Sequence, residues 1–238
     1  MRIVIFIDYD NLLESHKTSG VLDVVTRALN QLRFPTGMER GTCEVRVYGG
    51  WYEGTEMTTL AQGISAALQQ SFPAILRVPN GHGSICTFSV TTALAVTLLE
   101  EPGIHLFYHT YRKKGKPSNL RVQKPADVGC INPECSLPLA RKLLRTGKCH
   151  QQACTVAADD IVYRHEQKTV DTMLACDIVY ATQLGFDQLV LVSGDDDFLP
   201  PLRTALLRGA RIVRIHPKPN GPRTVHIAGH SQLVEIEL

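Results

Sequence analysis

Two short apolar runs that each lead into aspartates constrain the fold of this 238-residue chain more than any other feature. Arg2–Asp8 reads RIVIFID, and Gln188–Val192 reads QLVLV and is followed by Ser193, Gly194 and three consecutive aspartates. Continuous apolar runs of this length are typical of strands buried on both faces of a parallel sheet. Sites in open α/β sheets lie at the carboxyl ends of the strands. The sequence therefore predicts a parallel sheet with an acidic edge.

Further strands and helices alternate along the chain, which predicts an α/β protein whose mainly parallel sheet is covered on both faces. The other predicted strands are Cys43–Trp51, Ala74–Val78, Ile104–Tyr111 and Arg211–Ile215. The predicted helices are Leu22–Leu32, Thr59–Gln70, Val90–Glu100, His165–Leu184 and Leu199–Leu207, the last two ended by Gly185 and Gly209. Residues 112–159, rich in Gly, Pro, Lys and Cys, interrupt this alternation and are predicted to be an insertion.

The insertion concentrates positive charge. Ten basic residues between Arg112 and Lys148 face only Asp127 and Glu134, although the whole chain carries a net charge of +2. A basic segment beside an acidic body suits a polyanionic partner. Ordinary solvated lysines and arginines on a loop are the alternative interpretation.

Four of the seven cysteines form two matching pairs within the insertion. Cys130 and Cys135 are spaced C-x4-C, as are Cys149 and Cys154. Two short-spaced thiol pairs in a cytoplasmic chain predict a structural Zn²⁺ site. Disulfides are the alternative, which a reducing compartment disfavours, and His150 could replace one thiol. The remaining cysteines, Cys43, Cys86 and Cys176, are predicted to be buried core thiols.

Three acidic residues are expected to converge at the sheet edge. Asp8 ends the first strand, Asp195 follows a later one, and Asp171 lies at the margin of the apolar stripe of a predicted helix; Asp177 is a further candidate. Carboxylates without histidine or cysteine suit Mg²⁺ or Mn²⁺, ions that activate water and stabilise charge on a phosphate. Asn11 could position a carboxylate, the water or the phosphate.

Each acid also has a structural interpretation. Asp171 could complement a helix dipole, Asp196 or Asp197 could cap the next helix, and Asp10 could simply be solvated.

Three segments of the sequence together resemble the NYN branch of the PIN-like nuclease superfamily. They are FIDYDNL with its preceding isoleucine (Ile5–Leu12), KTVDTMLACD (Lys168–Asp177) and LVSGDDDFLPPL (Leu191–Leu202). The resemblance covers about residues 1–111 and 160–238, and implies a Rossmann-like three-layer α/β/α fold and metal-dependent cleavage of RNA. It also implies that Asp8, Asp171 and Asp195 bind the metal, with Asp197 as a fourth acid and Asn11 in support. The zinc-binding insertion, residues 112–159, lies outside the family pattern.

Nucleic acid is the expected partner, most plausibly RNA, with single-stranded DNA as a second option. Arg112, Lys113 and Lys114 follow the aromatic residues of Phe107–Tyr111 and could contact phosphates, as could Lys168. We expect the basic zinc insertion to grip the backbone of the nucleic acid.

Two other functions fit some of these residues. In a haloacid-dehalogenase-like phosphatase, Asp8 would be the nucleophile and Asp10 the acid/base, with Thr110 and Lys168 binding phosphate; Asp171 would then have no role. A non-catalytic RNA-binding module would use the insertion alone. P-loop and nucleophile-elbow motifs are absent from the sequence, as are a membrane-length apolar run and a signal-peptide-like N-terminus, so we expect a cytoplasmic protein.

Overall fold

The structure is a computed structural model that describes residues 1–80, 83–106, 111–114, 120–132, 134–151, 153–162, 164–167, 169–218 and 233–238, with only the backbone described for 111–114 and 164–167. The chain divides into two compact units. The larger comprises Met1–Thr110 and Lys168–Leu238, and the smaller comprises Tyr111–Gln167.

The described residues form eleven strands and seven α-helices, numbered in chain order. The strands are β1 (Arg2–Asp8), β2 (Arg40–Tyr48), β3 (Tyr52–Glu53), β4 (Glu56–Met57), β5 (Ala74–Pro79), β6 (Ile85–Leu94), β7 (Tyr111–Lys114), β8 (Arg164–Gln167), β9 (Gln188–Val192), β10 (Ile212–His216) and β11 (Leu233–Glu237). The helices are α1 (Glu14–Ser19), α2 (Val21–Gln31), α3 (Thr59–Ser71), α4 (Leu137–Thr146), α5 (Ala158–Ile161), α6 (Val170–Ala181) and α7 (Leu199–Leu207).

A seven-stranded sheet with the order β11-β10-β9-β1-β2-β6-β5 forms the centre of the larger unit. All neighbouring strands are parallel except β5, which runs antiparallel to β6. From β1 the chain proceeds to β2 on one side, and from β9 it proceeds to β10 and β11 on the other. The boundary between β1 and β9 is therefore the topological switch point, where open α/β sheets leave a crevice at their carboxyl edge.

The core explains why β1 and β9 are almost entirely apolar. Residues 3–8 of β1 and 189–192 of β9 are buried, as expected for central strands with a helical layer on each face. Helix α2 packs with α3, and α6 packs with α7. The predicted three-layer α/β/α architecture with a mainly parallel sheet is confirmed.

Three secondary-structure predictions are wrong. The predicted helix Val90–Glu100 is not formed: residues 90–94 are the second half of β6, in which buried and less buried positions alternate in the manner of a strand, and residues 95–100 form neither helix nor strand. The predicted helix from His165 is divided into β8 and α6 by Thr169, whose φ of 69° is left-handed. Ile104–Leu106 form no strand; Phe107–Thr110 lie outside the described residues.

The smaller unit contains an antiparallel pair, β7 and β8, together with α4 and α5. Among those of its residues whose side chains are described, only Ala158 is buried. Large apolar side chains are exposed instead, including Val128 (62% exposed), Ile131 (88%) and Ile161 (58%). The described part of this unit therefore has little apolar burial to stabilise it, and small units of this kind commonly rely on a metal, disulfides or a partner.

No helix within the described residues is long and apolar enough to cross a membrane.

Candidate active site

Asp8 occupies the switch point. It is the last residue of β1, and the register places it next to Tyr48 on one side and just beyond the Ile7–Val192 pair on the other. Ser193, the first residue after β9, donates a hydrogen bond from its hydroxyl to Asp8 Oδ2 (2.8 Å). Ser193 is fully buried and also accepts from the Asp195 backbone N–H (3.1 Å). One hydroxyl thus couples the two acidic segments.

The Asp8 carboxylate is held in an environment that disfavours its charge. Burial raises the pKa of Asp8 to about 6, and the negative charges of Asp171 and Asp10 add to this effect. The hydrogen bond from Ser193 acts in the opposite direction because it stabilises the ionised form. Strained carboxylates of this kind are typical of sites that bind a cation or transfer a proton.

Asp195 shapes the loop that follows β9. Its Oδ1 atom accepts from the Asp197 backbone N–H (2.9 Å) and caps the short 3₁₀ turn formed by residues 196–198. The predicted capping role of Asp196 or Asp197 therefore belongs to Asp195. Its Oδ2 atom forms no side-chain hydrogen bond with the described protein atoms that would tie it away from a ligand.

Arg214 of β10 binds the loop that follows β9. It is 2% exposed and donates from its guanidinium to the carbonyl oxygens of Ser193 (3.3 Å) and Asp195 (2.8 Å). The same group forms ion pairs with Asp196 (2.9 Å) and with Glu235 of β11 (3.3 Å). A buried cation is tolerated because four acceptors share it. Sequence analysis overlooked Arg214, whose signal was a charged residue inside the apolar strand RIVRIHP.

Asp171 and Asp10 complete the acidic edge. Although Asp171 is exposed as a whole residue, partial burial of its carboxyl raises its pKa, and the charges of Asp195, Asp10 and Asp197 raise it further. Asp10, expected to be merely solvated, accepts from the Gly50 N–H (3.3 Å) and interacts electrostatically with Asp8 and Asp171. The D-x-D spacing was the sequence signal for this second acid.

Asn11 connects the β1 end to the β9 loop. Its Oδ1 atom accepts from the backbone N–H of Gly194 (3.3 Å). A Cβ at residue 194 would lie 3.3 Å from that oxygen, so glycine permits the close approach. Asn11 is therefore a residue that fixes the spacing of the two acidic segments.

The model of the NYN domain family matches residues 139–225. This range includes two of the three acidic segments, those with Asp171 and Asp195. The third segment, with Asp8, lies outside the range, but the hydrogen bond from Ser193 places Asp8 at the same edge of the sheet. The chain is therefore similar to the NYN domain family over residues 139–225. No curated protein and no solved structure matches the chain.

The donor atoms at the acidic edge are carboxylate oxygens, which suit Mg²⁺ or Mn²⁺. Within the described ranges, however, no three His, Cys, Asp or Glu side chains are grouped closely enough to hold a metal ion. The acids lie near enough to raise one another's pKa values, so a cation would offset a repulsion that the fold imposes. The residues therefore fit the ion in the chemistry of their donor atoms, although their side chains do not form a closed metal-binding group.

Asp177, the further acidic candidate, is a structural residue of the larger unit. It is 1% exposed, accepts from the Tyr48 hydroxyl (2.5 Å) and the Leu99 N–H (2.8 Å), and is ion-paired with Arg46 (3.2 Å). With its oxygens engaged in this way, Asp177 has no role at the acidic edge.

The cysteines are only partly as predicted. Cys130 Sγ lies 3.3 Å from Cys135 Sγ. In the second pair, the pKa of Cys149 is lowered, first by a hydrogen bond from the Gln151 N–H and then by one from the Cys154 thiol. The two thiols of each C-x4-C pair are therefore in contact with each other, but the two pairs do not form one four-thiol group in the described structure. All seven cysteines are free thiols.

Among the other thiols, Cys43 and Cys86 are buried as expected. Cys176 is exposed on α6, so its predicted burial is wrong: it lies on the solvent side of the helix, opposite the face that packs on the sheet.

The side chains of the predicted phosphate-binding residues lie outside the described part of the structure. Arg112, Lys113 and Lys114 form β7, of which the backbone alone is described. Lys168 and Thr110 lie outside the described residues. Their contacts with nucleic acid stay predictions.

Proposed function

We propose that the protein is a metal-dependent ribonuclease that hydrolyses RNA phosphodiester bonds at the acidic edge of the sheet. The observation that carries this proposal is the convergence of Asp8, Asp171 and Asp195 at the topological switch point, where burial and mutual repulsion raise the pKa values of Asp8 and Asp171. Carboxylates forced together in this way are stabilised by a divalent cation. The similarity to the NYN domain family over residues 139–225 supports this reaction class, because that family belongs to the PIN-like nucleases.

Asp8, Asp171 and Asp195 would hold Mg²⁺ or Mn²⁺, with Asp197 and Asp10 close by. When bound, the ion would activate a water molecule and stabilise negative charge on the scissile phosphate. The protein's own contribution is orientation. Ser193 fixes one oxygen of Asp8, and Asn11 sets the distance between the two acidic segments.

Arg214 serves the same purpose from within the core. By donating to the Asp195 carbonyl and to the Asp196 carboxylate, it fixes the backbone of the loop that carries the Asp195 side chain. A preorganised site of this kind does not have to be assembled by the ligand at each turnover.

Cleavage of a labelled single-stranded RNA with Mn²⁺, Mg²⁺ or EDTA tests the proposal. Asp195→Asn is the informative variant, because asparagine keeps the Oδ1 acceptor that caps the 196–198 turn while removing the charge. Asp187→Asn is the matched control: Asp187 accepts from the Arg2 N–H (2.7 Å) just before β9, at the opposite edge of the sheet. We expect metal-dependent cleavage by wild type and Asp187→Asn, and loss of at least about 100-fold in Asp195→Asn. Cleavage that persists in EDTA or in Asp195→Asn would refute the proposal.

Asp10 keeps the phosphatase alternative open, since its carboxylate interacts with that of Asp8. As the acid/base of a phosphatase it would be essential, whereas in the nuclease it is an auxiliary charge. If the protein is a nuclease, Asp10→Asn should retain most RNA cleavage, and neither wild type nor the variant should hydrolyse p-nitrophenyl phosphate. Loss of a wild-type phosphatase activity in this variant would favour the alternative. A wild-type protein that binds RNA but never cleaves it would indicate the non-catalytic module.

We further propose that Cys130, Cys135, Cys149 and Cys154 bind a structural Zn²⁺ and that the basic insertion assists binding of nucleic acid. The near absence of buried residues in the described part of the smaller unit supports a stabilising metal. The closed thiol pairs supply its ligands. Metal analysis of the purified protein should give one zinc per chain, and Cys135→Ser should lower it; Cys176→Ser, at an exposed thiol outside the pairs, is the control.

A further inference from the structure

A cavity of about 750 Å³ opens beside the acidic edge of the larger unit. It lies between α2 and α3 and falls within the roughly 300–1,000 Å³ typical of ligand pockets. Its lining includes Tyr9, the residue next to Asp8. Asp171 and Asp195 do not line it, so it is a separate space that adjoins the proposed cleavage site through one residue.

The wall of this cavity is apolar and only partly covered. Ile64, Leu68 and Phe72 of the α3 side contribute to it, and Leu60, which is 53% exposed, lies at its rim. Exposed apolar surface at the mouth of a cavity on a folded domain commonly marks a binding site. The flat, weakly polar face of an unpaired nucleobase suits such a wall.

A cation lies at the Tyr9 end. The Lys17 ammonium lies over the Tyr9 ring, 5.5 Å from its centroid, while Trp51 packs on the same tyrosine with a centroid distance of 5.7 Å. Trp51 is fully buried and Tyr9 is 6% exposed, so the Tyr9 ring is packed on the core where it lines the cavity. Asp23 also lines the cavity, but its carboxylate is ion-paired with Arg27 (2.8 Å). Lys17 is the basic residue of the lining, and it lies at the end of the cavity nearest Asp8, where Glu14 and Asp10 also act electrostatically on Tyr9.

We propose that this cavity is a nucleotide subsite of the ribonuclease. An unpaired base packs against Ile64, Leu68 and Phe72, and its phosphate is contacted by Lys17 as the strand passes to the acidic edge. The inference rests on the proposed function, because it takes the strand to continue from Tyr9 to Asp8. A subsite of this depth selects single-stranded over duplex RNA, since a base must leave its stack to enter.

Gly63 offers a direct test. It lines the cavity from α3, and a Cβ at this position meets no atom within 4 Å. Gly63→Leu should therefore fill the cavity without disturbing the backbone, and it should not lower Tm because leucine favours a helix interior more than glycine does. Ala66→Leu adds similar bulk to the same helix at an exposed residue that does not line the cavity, and it is the matched control.

The first assay is binding of a short fluorescein-labelled single-stranded oligouridylate in EDTA, followed by fluorescence anisotropy. We expect Gly63→Leu to weaken binding by about tenfold or more, comparable to the loss of one stacked base, and Ala66→Leu to match wild type. Lys17→Gln should weaken binding and reduce the slope of log Kd against log salt by about one. Equal affinities for wild type and a folded Gly63→Leu would overturn the proposal.

The second assay measures cleavage with Mn²⁺. If wild type cleaves and Gly63→Leu shows an unchanged KM, the subsite is refuted while the nuclease stands. If wild type fails to cleave but Gly63→Leu still loses RNA affinity, the proposed reaction fails while the subsite stands. Wild type should also cleave the single-stranded oligouridylate in preference to its duplex with oligoadenylate, and equal cleavage of both would contradict the subsite.

Discussion

Replacing Asp8 by asparagine should abolish cleavage and at the same time stabilise the metal-free protein. Asp8 is 7% exposed, and its pKa is raised from 3.8 to about 6, chiefly by burial. Since one pH unit corresponds to about 1.4 kcal/mol, ionising Asp8 in the folded state costs about 3 kcal/mol of unfolding free energy. Asparagine removes that cost and keeps an oxygen to accept the Ser193 hydrogen bond. Its added N–H₂ group must find partners, so the expected net gain is about 1–3 kcal/mol.

The gain should depend on pH in a direction set by the raised pKa. Between about pH 4 and pH 6 the folded protein binds the Asp8 proton more tightly than the unfolded chain does, so wild-type stability falls as pH rises through this window. The advantage of Asp8→Asn should be near zero at about pH 4, about half of its full value at about pH 5, and complete above about pH 7.

Urea denaturation in EDTA across this pH range measures the effect, together with Tm, which should rise by roughly 2–4 °C per kcal/mol. Glu39→Gln removes one carboxylate from an exposed residue just before β2, at the opposite edge of the sheet, and is the control for net charge. Mn²⁺ should raise the Tm of wild type and have little effect on Asp8→Asn. An Asp8→Asn protein that is less stable than wild type at neutral pH, or equally stabilised at every pH, would refute the reasoning.

Four other changes have expected outcomes. Arg214→Lys should retain the buried charge but lose the shared contacts with Ser193 and Asp195, so kcat should fall by about tenfold while KM for RNA stays constant; an unchanged kcat would remove Arg214 from the site. Asp177→Ala should lower the unfolding free energy by about 3–5 kcal/mol in urea denaturation, because Arg46 and Tyr48 lose a buried partner, whereas a change below 1 kcal/mol would contradict the contacts described. Gly194→Ala should reduce kcat with a stability loss of about 1 kcal/mol, since its Cβ presses on the Asn11 oxygen, and wild-type rates would show that this spacing is unimportant. Zinc chelation should expose the smaller unit to limited proteolysis while the larger unit stays intact; equal resistance with and without chelator would exclude a structural zinc.

The acidic edge was predictable because strands and their ends have strong local signals. The runs before Asp8 and Asp195 are apolar at nearly every position, and a parallel arrangement places their carboxyl ends together. The helix carrying Asp171 was also predicted, although its start was not. Thr169, whose backbone is left-handed, separates β8 from α6. This conformation has no reliable sequence signature, because non-glycine residues adopt it only where the surrounding structure requires it.

The sequence by itself determined the layered α/β architecture and the acids that meet at its edge, because alternation of apolar residues and the chemistry of aspartate are local properties. Only the tertiary structure showed that the Asp177 carboxylate is bound by Tyr48, Leu99 and Arg46. It also showed that Arg214 of β10 binds the loop after β9. Those partners lie 19 to 131 residues apart along the chain, and their pairing follows from strand order, which brings distant residues into contact without a local pattern. The cavity beside Tyr9 has the same origin: it exists because α2 and α3 leave space between them on one face of the sheet.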